Sequence, residues 1–258
     1  MRKPFFITSA LAVALATLGV VAYTQTTLQT ATQTAPERPV IDPAAIAALD
    51  RMGTYLRSLK SFQVQADQTK DEVLEDGQII ELSSRVDLLV APNRFRADLT
   101  SDRKDRLFLY DGQSFTLFAR RMDYYATVPA PATTAELSDV LDKKYDIQIP
   151  LDDMFRWGTP RARTTIAEIT AAGDYGPSAV NGTNCQHYAF RQEGLDWQIW
   201  IQNGEFPLPR KVSLTTLTDE SRPQFTAVYT WQLAPAFNEA AFTFTPPPTA
   251  TKIVFAAQ

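Results

Sequence analysis

The sequence predicts a mostly β, α+β domain: a single antiparallel sheet of about eleven strands, an N-terminal helix and a short helical insertion. Three observations carry this. A helical apolar stripe opens the domain, runs of period two with short turns follow, and one helical segment interrupts those runs midway.

The first helix is introduced by Asp42-Pro43. The aspartate can accept from the free N–H groups of the first turn, and proline suits the first helical position, where no donor is needed. Ile46, Leu49, Met52, Leu56 and Leu59 recur at spacings of three and four, one apolar face through about Lys60. From Phe62 the period becomes two: Phe62, Val64 and Ala66, then Val86, Leu88 and Val90, then Phe95, Ala97 and Leu99. Glu75-Asp76-Gly77, Ala91-Pro92-Asn93 and Asp111-Gly112 are turns short enough for a meander. Leu107–Tyr110 and Phe115–Phe118 are apolar on both faces, as strands covered on both sides must be.

Pro129-Ala130-Pro131 breaks the sheet, and Thr133-x-x-Glu136 reads as a capping box. Leu137, Val140, Leu141 and Tyr145 form the stripe of the helix it opens. Leu151–Trp157 reads as a further turn or two of helix, with Asp152-Asp153 in its first turn, where negative charge suits the helix dipole. Strands resume near Ile166. Asn181-Gly182 marks a tight turn, and Asn203-Gly204 turns the chain again after the strand Trp197–Ile201. Phe225, Ala227, Tyr229, Trp231 and Leu233 share one face of a late strand, and Pro246-Pro247-Pro248 excludes a central strand there.

Ahead of the domain, residues 1–24 carry Arg2 and Lys3 before an apolar run, the pattern of a secretory signal; cleavage and retention as an N-terminal anchor both fit its length. Residues 25–41, rich in Thr, Gln, Ala and Pro, read as a flexible linker, and residues 42–258 as the folded domain. Export predicts the periplasm, with membrane contact through the N-terminal segment if it is uncleaved. Without Arg2 and Lys3 the 25 basic residues become 23 against 29 acids, a net charge of −6, which argues against nucleic acid as a partner. Arg94/Arg96, Arg103/Lys104/Arg106 and Arg120/Arg121 alternate with Asp98, Asp102, Asp105 and Asp123, as on a solvated mixed-charge face.

Residues suited to chemistry are sparse. Cys185 and His187 are each the only residue of their type and share a strand face, but same-face neighbours on one strand lie about 6.5–7 Å apart at the backbone, too far for a dyad. They fall short of a structural zinc set. Asn181-Gly182-Thr183 matches a glycosylation sequon, which the turn explains on its own. No phosphate-binding glycine loop, nucleophile elbow or metal-helix motif is present, so no catalytic residue, metal or cofactor is expected and the chain reads as a non-enzyme.

Three segments in order resemble the LolA/LolB superfamily of periplasmic lipoprotein carriers. They are Leu59-Lys60-Ser61-Phe62 with the strand Gln63–Thr69; Ala91–Arg96 followed by Leu109–Phe118; and Glu239–Pro247. Arg103–Tyr110, Tyr124–Pro129, Trp197–Ile201 and Pro207–Lys211 are similar to a branch of predicted periplasmic proteins of unknown function within that superfamily. The resemblance implies a strongly curved antiparallel half-barrel whose helices plug or lid an apolar concave face that binds acyl chains. Carriers of the LolA type place a basic residue before the proline of the second segment, where it helps to latch the lid; this chain has Ala91 there.

On that reading Phe95, Leu99, Phe115, Leu117, Trp197, Ile199 and Ile201 line the concave face, and Leu137, Val140, Leu141, Met154 and Phe155 cover it. The implied function is a periplasmic binding or carrier protein for a hydrophobic small molecule, a lipid or an acylated peptide. The alternative is a non-enzymatic envelope module, for interaction or sensing with another envelope protein, whose interior is an ordinary filled core.

Overall fold

The computed structural model describes residues 41–152, 154 and 166–256, within the compact unit Arg38–Gln258. Helix α1 (Pro43–Ser58) starts as its sequence dictates: the Asp42 carboxylate accepts from the Ala44 N–H at 2.8 Å, and Pro43 occupies the first turn. Six strands follow with short connections, β1 (Phe62–Val73), β2 (Ile79–Ala91), β3 (Arg94–Ser101), β4 (Asp105–Tyr110), β5 (Ser114–Ala119) and β6 (Tyr124–Pro129). After helix α2 (Thr134–Tyr145) come β7 (Ala171–Val180), β8 (Thr183–Gln192), β9 (Leu195–Gln202), β10 (Pro209–Thr216), β11 (Gln224–Leu233) and the two-residue β12 (Thr251–Lys252).

All twelve strands join one curved, open sheet in the order β12-β6-β5-β4-β3-β2-β1-β11-β10-β9-β8-β7. The half-barrel expected from the resemblance is therefore present, with one strand more than the approximate count. That strand, β12, lies just beyond the prolines and pairs in parallel with β6 through Thr251 and Lys252. Strands resume at Ala171 rather than near Ile166: Ile166 and Ala167 are helical, and the Ile169 N–H bonds back to the Ile166 carbonyl.

Parity sets the interior. Val64 and Ala66 of β1, Val86 and Leu88 of β2, Phe95 and Ala97 of β3, Phe108 and Tyr110 of β4, and Phe115 of β5 are buried on the concave face. The buried α1 residues Ala45, Ala48, Leu49, Met52 and Leu56 belong to the same cluster. Tyr110 keeps its polar handle satisfied there, donating to the Pro131 carbonyl at 2.7 Å. A separate cluster on the convex side holds Leu107, Leu109 and Phe118 under Phe244, so β4 and β5 are covered on both faces as expected.

The stripe of α2 differs from expectation. Leu137, Ser138 and Leu141 are buried, whereas Val140 is 38% exposed. The helix is turned toward Ser138 because that hydroxyl donates to the Asp152 carboxylate at 2.8 Å. Asp152 thereby ties the segment after α2 to the helix, and Asp153 lies outside the described residues.

The C-terminal segment passes around the β6 edge of the sheet. Phe244 meets Phe118 and Tyr125 on the convex side, at ring separations of 5.6 and 5.1 Å. Thr251 and Ile253 donate N–H groups to the carbonyls of Asp123 and Tyr125, both at 2.8 Å. Phe255 then meets Phe115 at 6.4 Å and Tyr145 of α2 at 5.2 Å on the concave side. Ala91 is buried, and the nearby cation Arg94 instead clamps this segment: it bonds Glu239 at 2.5 and 3.1 Å and lies 4.8 Å over the Phe242 ring.

The mixed charges of the β3–β5 region neutralise one another. Arg96 bonds Asp98 at 2.7 Å, while Arg120 bonds Asp105 at 2.7 Å and also reaches Asp98.

The β4–β5 turn depends on Asp111, whose carboxylate accepts the N–H groups of Gln113 at 2.8 Å and Ser114 at 2.7 Å, and the Ser114 hydroxyl at 2.8 Å. Burial alone would raise the pKa of this carboxyl, but the donors from Ser114 and Gln113 outweigh it and hold the value below the usual one. A depressed folded-state pKa stabilises the protein above the unfolded value and loses that effect as pH falls through the folded value. Asp111→Asn is therefore expected to lower the urea midpoint at pH 7. The gap to wild type should narrow below about pH 4; a gap independent of pH would show that the charge contributes nothing.

Candidate binding cavity

The register of β8–β11 arranges concave residues in rows across the strands. Phe190, Trp197, Leu214 and Phe225 make one row, and Tyr188, Ile199, Val212 and Ala227 the next. Within the second row Val212 is small beside the rings around it, and it lines open space, whereas Ala227 is fully buried. A cavity of about 210 Å³ lies there, lined by Trp197, Ile199, Val212, Leu214, Phe225 and Tyr229. Met154, Leu195, Pro209 and Gln192 complete its described walls.

The lining is apolar with few polar groups. Gln192 accepts from the Trp197 indole N–H at 3.2 Å through its carbonyl oxygen, which leaves the amide nitrogen as a donor. No Asp, Glu, Lys or Arg lines the cavity among the described residues. Such a surface can hold a ligand by removing apolar area from water and can orient one polar atom.

The twelve residues expected from sequence divide between this cavity and a filled core. Trp197, Ile199 and Met154 line the cavity. Phe95 and Phe115 are buried in the β3–β5 half, where Phe95 meets Tyr110 at 5.8 Å, and Leu99 and Leu117 pack against the same cluster. Leu137 and Leu141 are buried on α2 in that cluster, and Ile201 is buried beside a smaller recess that includes Ala48. Val140, being exposed, neither lines nor covers the cavity; Phe155 lies outside the described residues. Sequence reasoning missed Leu195, Pro209, Val212, Leu214, Phe225 and Tyr229. The alternation of Phe225 and Tyr229 with Thr226 and Val228 was the available signal.

Cys185 and His187 do share the convex face. His187 stacks on Trp200 at 4.1 Å with an interplanar angle of 6° and bonds Gln198 at 2.9 Å, while Lys211 lies 4.7 Å from the other partner of the stack, the Trp200 ring. Cys185 is buried and meets the Thr183 carbonyl at 3.4 Å. Among the described residues no cluster of three or more His, Cys, Asp or Glu could hold a metal, and no helix is long and apolar enough to cross a membrane.

Residues 45–256 match the family described as "Predicted periplasmic protein (DUF2092)". No curated protein matches the chain. Among solved structures, the chain is similar to the Mycobacterium tuberculosis lipoprotein LppX, with a TM-score of 0.47 and 13% identity over 76% of this chain and 98% of that one. An uncharacterized conserved protein from Thermus thermophilus gives 0.43 and 13%, covering 82% and 99%. The LolA superfamily protein NE2245 from Nitrosomonas europaea gives 0.34 and 11%, covering 78% and 97%. At these scores the similarities bear on neither ligand nor mechanism.

Burial raises the pKa of the Cys185 thiol, and Arg210 and a backbone hydrogen bond offset this only in part. The thiol is thus both shielded and short of thiolate at neutral pH. In the native protein Cys185 should resist 5,5′-dithiobis(2-nitrobenzoate) and react fully in concentrated guanidinium. Rapid labelling without denaturant would show that the β8 core opens readily.

Proposed function

The chain belongs to the DUF2092 family of predicted periplasmic proteins, and from that premise we propose a periplasmic binding or carrier protein that holds an apolar ligand, a lipid or acyl chain, in the β9–β11 cavity. One observation supports this reading most: the half-barrel is filled by aromatic side chains at β3–β5, yet leaves about 210 Å³ of apolar space at β9–β11. A cavity lined by hydrocarbon and rings favours a ligand that brings its own apolar area, at about 25 cal/mol per Å² buried before ordering costs. The reading requires no catalytic residue and no cofactor. It is a reading of binding alone, and shuttling between membranes is not part of it.

The filled β3–β5 half favours a second reading, an envelope interaction module whose core is merely incomplete at one end. The two differ in whether the space is used. Purified from its host envelope and extracted for mass spectrometry, the wild-type protein should yield a stoichiometric lipid. Val212→Trp, which puts an indole into the cavity, should fold with a modest stability loss of about 1–3 kcal/mol and come free of that lipid. Equal lipid recovery from both proteins, or none from wild type, would remove the carrier reading.

A further inference from the structure

The cavity borders a cation that makes no ion pair among the described residues. Strand β1 runs beside β11, and their register sets Lys70 opposite Phe225, a residue of the cavity wall. Directly paired residues point to the same face with Cβ atoms about 4.5–5.5 Å apart. The parity of β1 agrees: Val64 and Ala66 are buried on the concave side, and Gln68 and Lys70 continue that series with no irregularity in either pairing of β1. Lys70 itself is exposed. The carboxylate nearest along its own face, Glu72, is engaged by Arg103 at 2.9 Å. Beside it, Gln68 accepts from the Ser84 hydroxyl at 3.2 Å, which fixes the amide and leaves its nitrogen as a second donor.

We infer that the ligand is a single-chain amphiphile with an anionic head, its chain in the β9–β11 cavity and its carboxylate or phosphate on Lys70 and Gln68 at the rim. This rests on the binding reading above and specifies its substrate. The size of the cavity sets the single chain: about 210 Å³ is below the ~300–1,000 Å³ usual for drug-sized ligands, too little for two chains side by side. The charge follows from placement. No Asp, Glu, Lys or Arg lines the cavity among the described residues, and a lysine whose stem can lie along apolar surface carries its ammonium to the edge. An anionic head there gains a charge-assisted hydrogen bond, whereas a neutral alcohol does not.

The test compares three probes of equal chain length, dodecanoate, dodecyl phosphate and dodecanol, on the protein as purified from its host, as wild type and as Lys70→Gln, by competition against a bound fluorescent alkyl probe. Wild type should prefer both anions over the alcohol by about tenfold at low salt, and less as salt rises. Lys70→Gln should abolish that preference and leave dodecanol unchanged. Because Lys70 is exposed, the variant should keep the wild-type melting curve, which serves as the folding control. Binding of all three probes with no preference in wild type, or a preference that survives Lys70→Gln, overturns the anionic head and leaves the binding reading standing. Preference for one anion alone supports the inference and identifies the head. Failure of every probe to bind wild type overturns both.

Discussion

Everything in this molecule depends on the parity of β1. Strand β1 lies in the middle of the sheet, paired over twelve positions with β2 and over nine with β11, and it joins the N-terminal meander to the C-terminal one. A slip of one residue in β1 would carry Val64 and Ala66 to the convex face, out of line with the buried residues of both neighbours. The α1 face, the aromatic filling of β3–β5 and the open space at β9–β11 are all referred to the same concave side. A cavity between packed elements can persist only where such a register is held firmly on both flanks.

Filling follows from side-chain volume along the rows. At β3–β5, Phe95, Phe108, Tyr110 and Phe115 share one packed cluster with α2 and the C-terminal Phe255, and their rings occupy the concave side there. At β9–β11 the rings of Trp197, Phe225 and Tyr229 line the cavity together with the shorter Val212. One sheet thus has a structural half and a half with room. The polar groups conform to this division: Tyr110 and Trp231 satisfy their donors on the carbonyls of Pro131 and Pro209, at 2.7 and 2.8 Å.

Much of this was legible in the residues. The Asp42-Pro43 cap, the two-residue period and the Asn-Gly and Asp-Gly turns are local signals, and each is found where the residues place it. The two-sided cover of Leu107–Tyr110 was visible as well, because no alternating pattern survives there. The orientation of α2 was not, since its turn toward Ser138 answers to Asp152, fourteen positions away. Nor was the location of the cavity: alternation tells which residues share a face but not how much volume faces them from other strands. Strand β12 has no signal in the residues, because two positions after a run of prolines carry no period at all.

The C-terminal segment has a consequence for how the chain reaches its final form. Phe244 and Phe255 grip the β6 edge from opposite sides, and Arg94 secures the stretch leading to them. A clasp of this kind has nothing to close on until β4–β6 and α2 are in place, and β1 has no β11 partner until residue 233 is available. Until then the meander of β1–β6 has one flank of its central strand bare and one edge unclasped. The first exposure ends when β11 pairs and the second only when the C-terminal segment closes, so the interval before closure is when this protein most needs to be kept from pairing with a second chain.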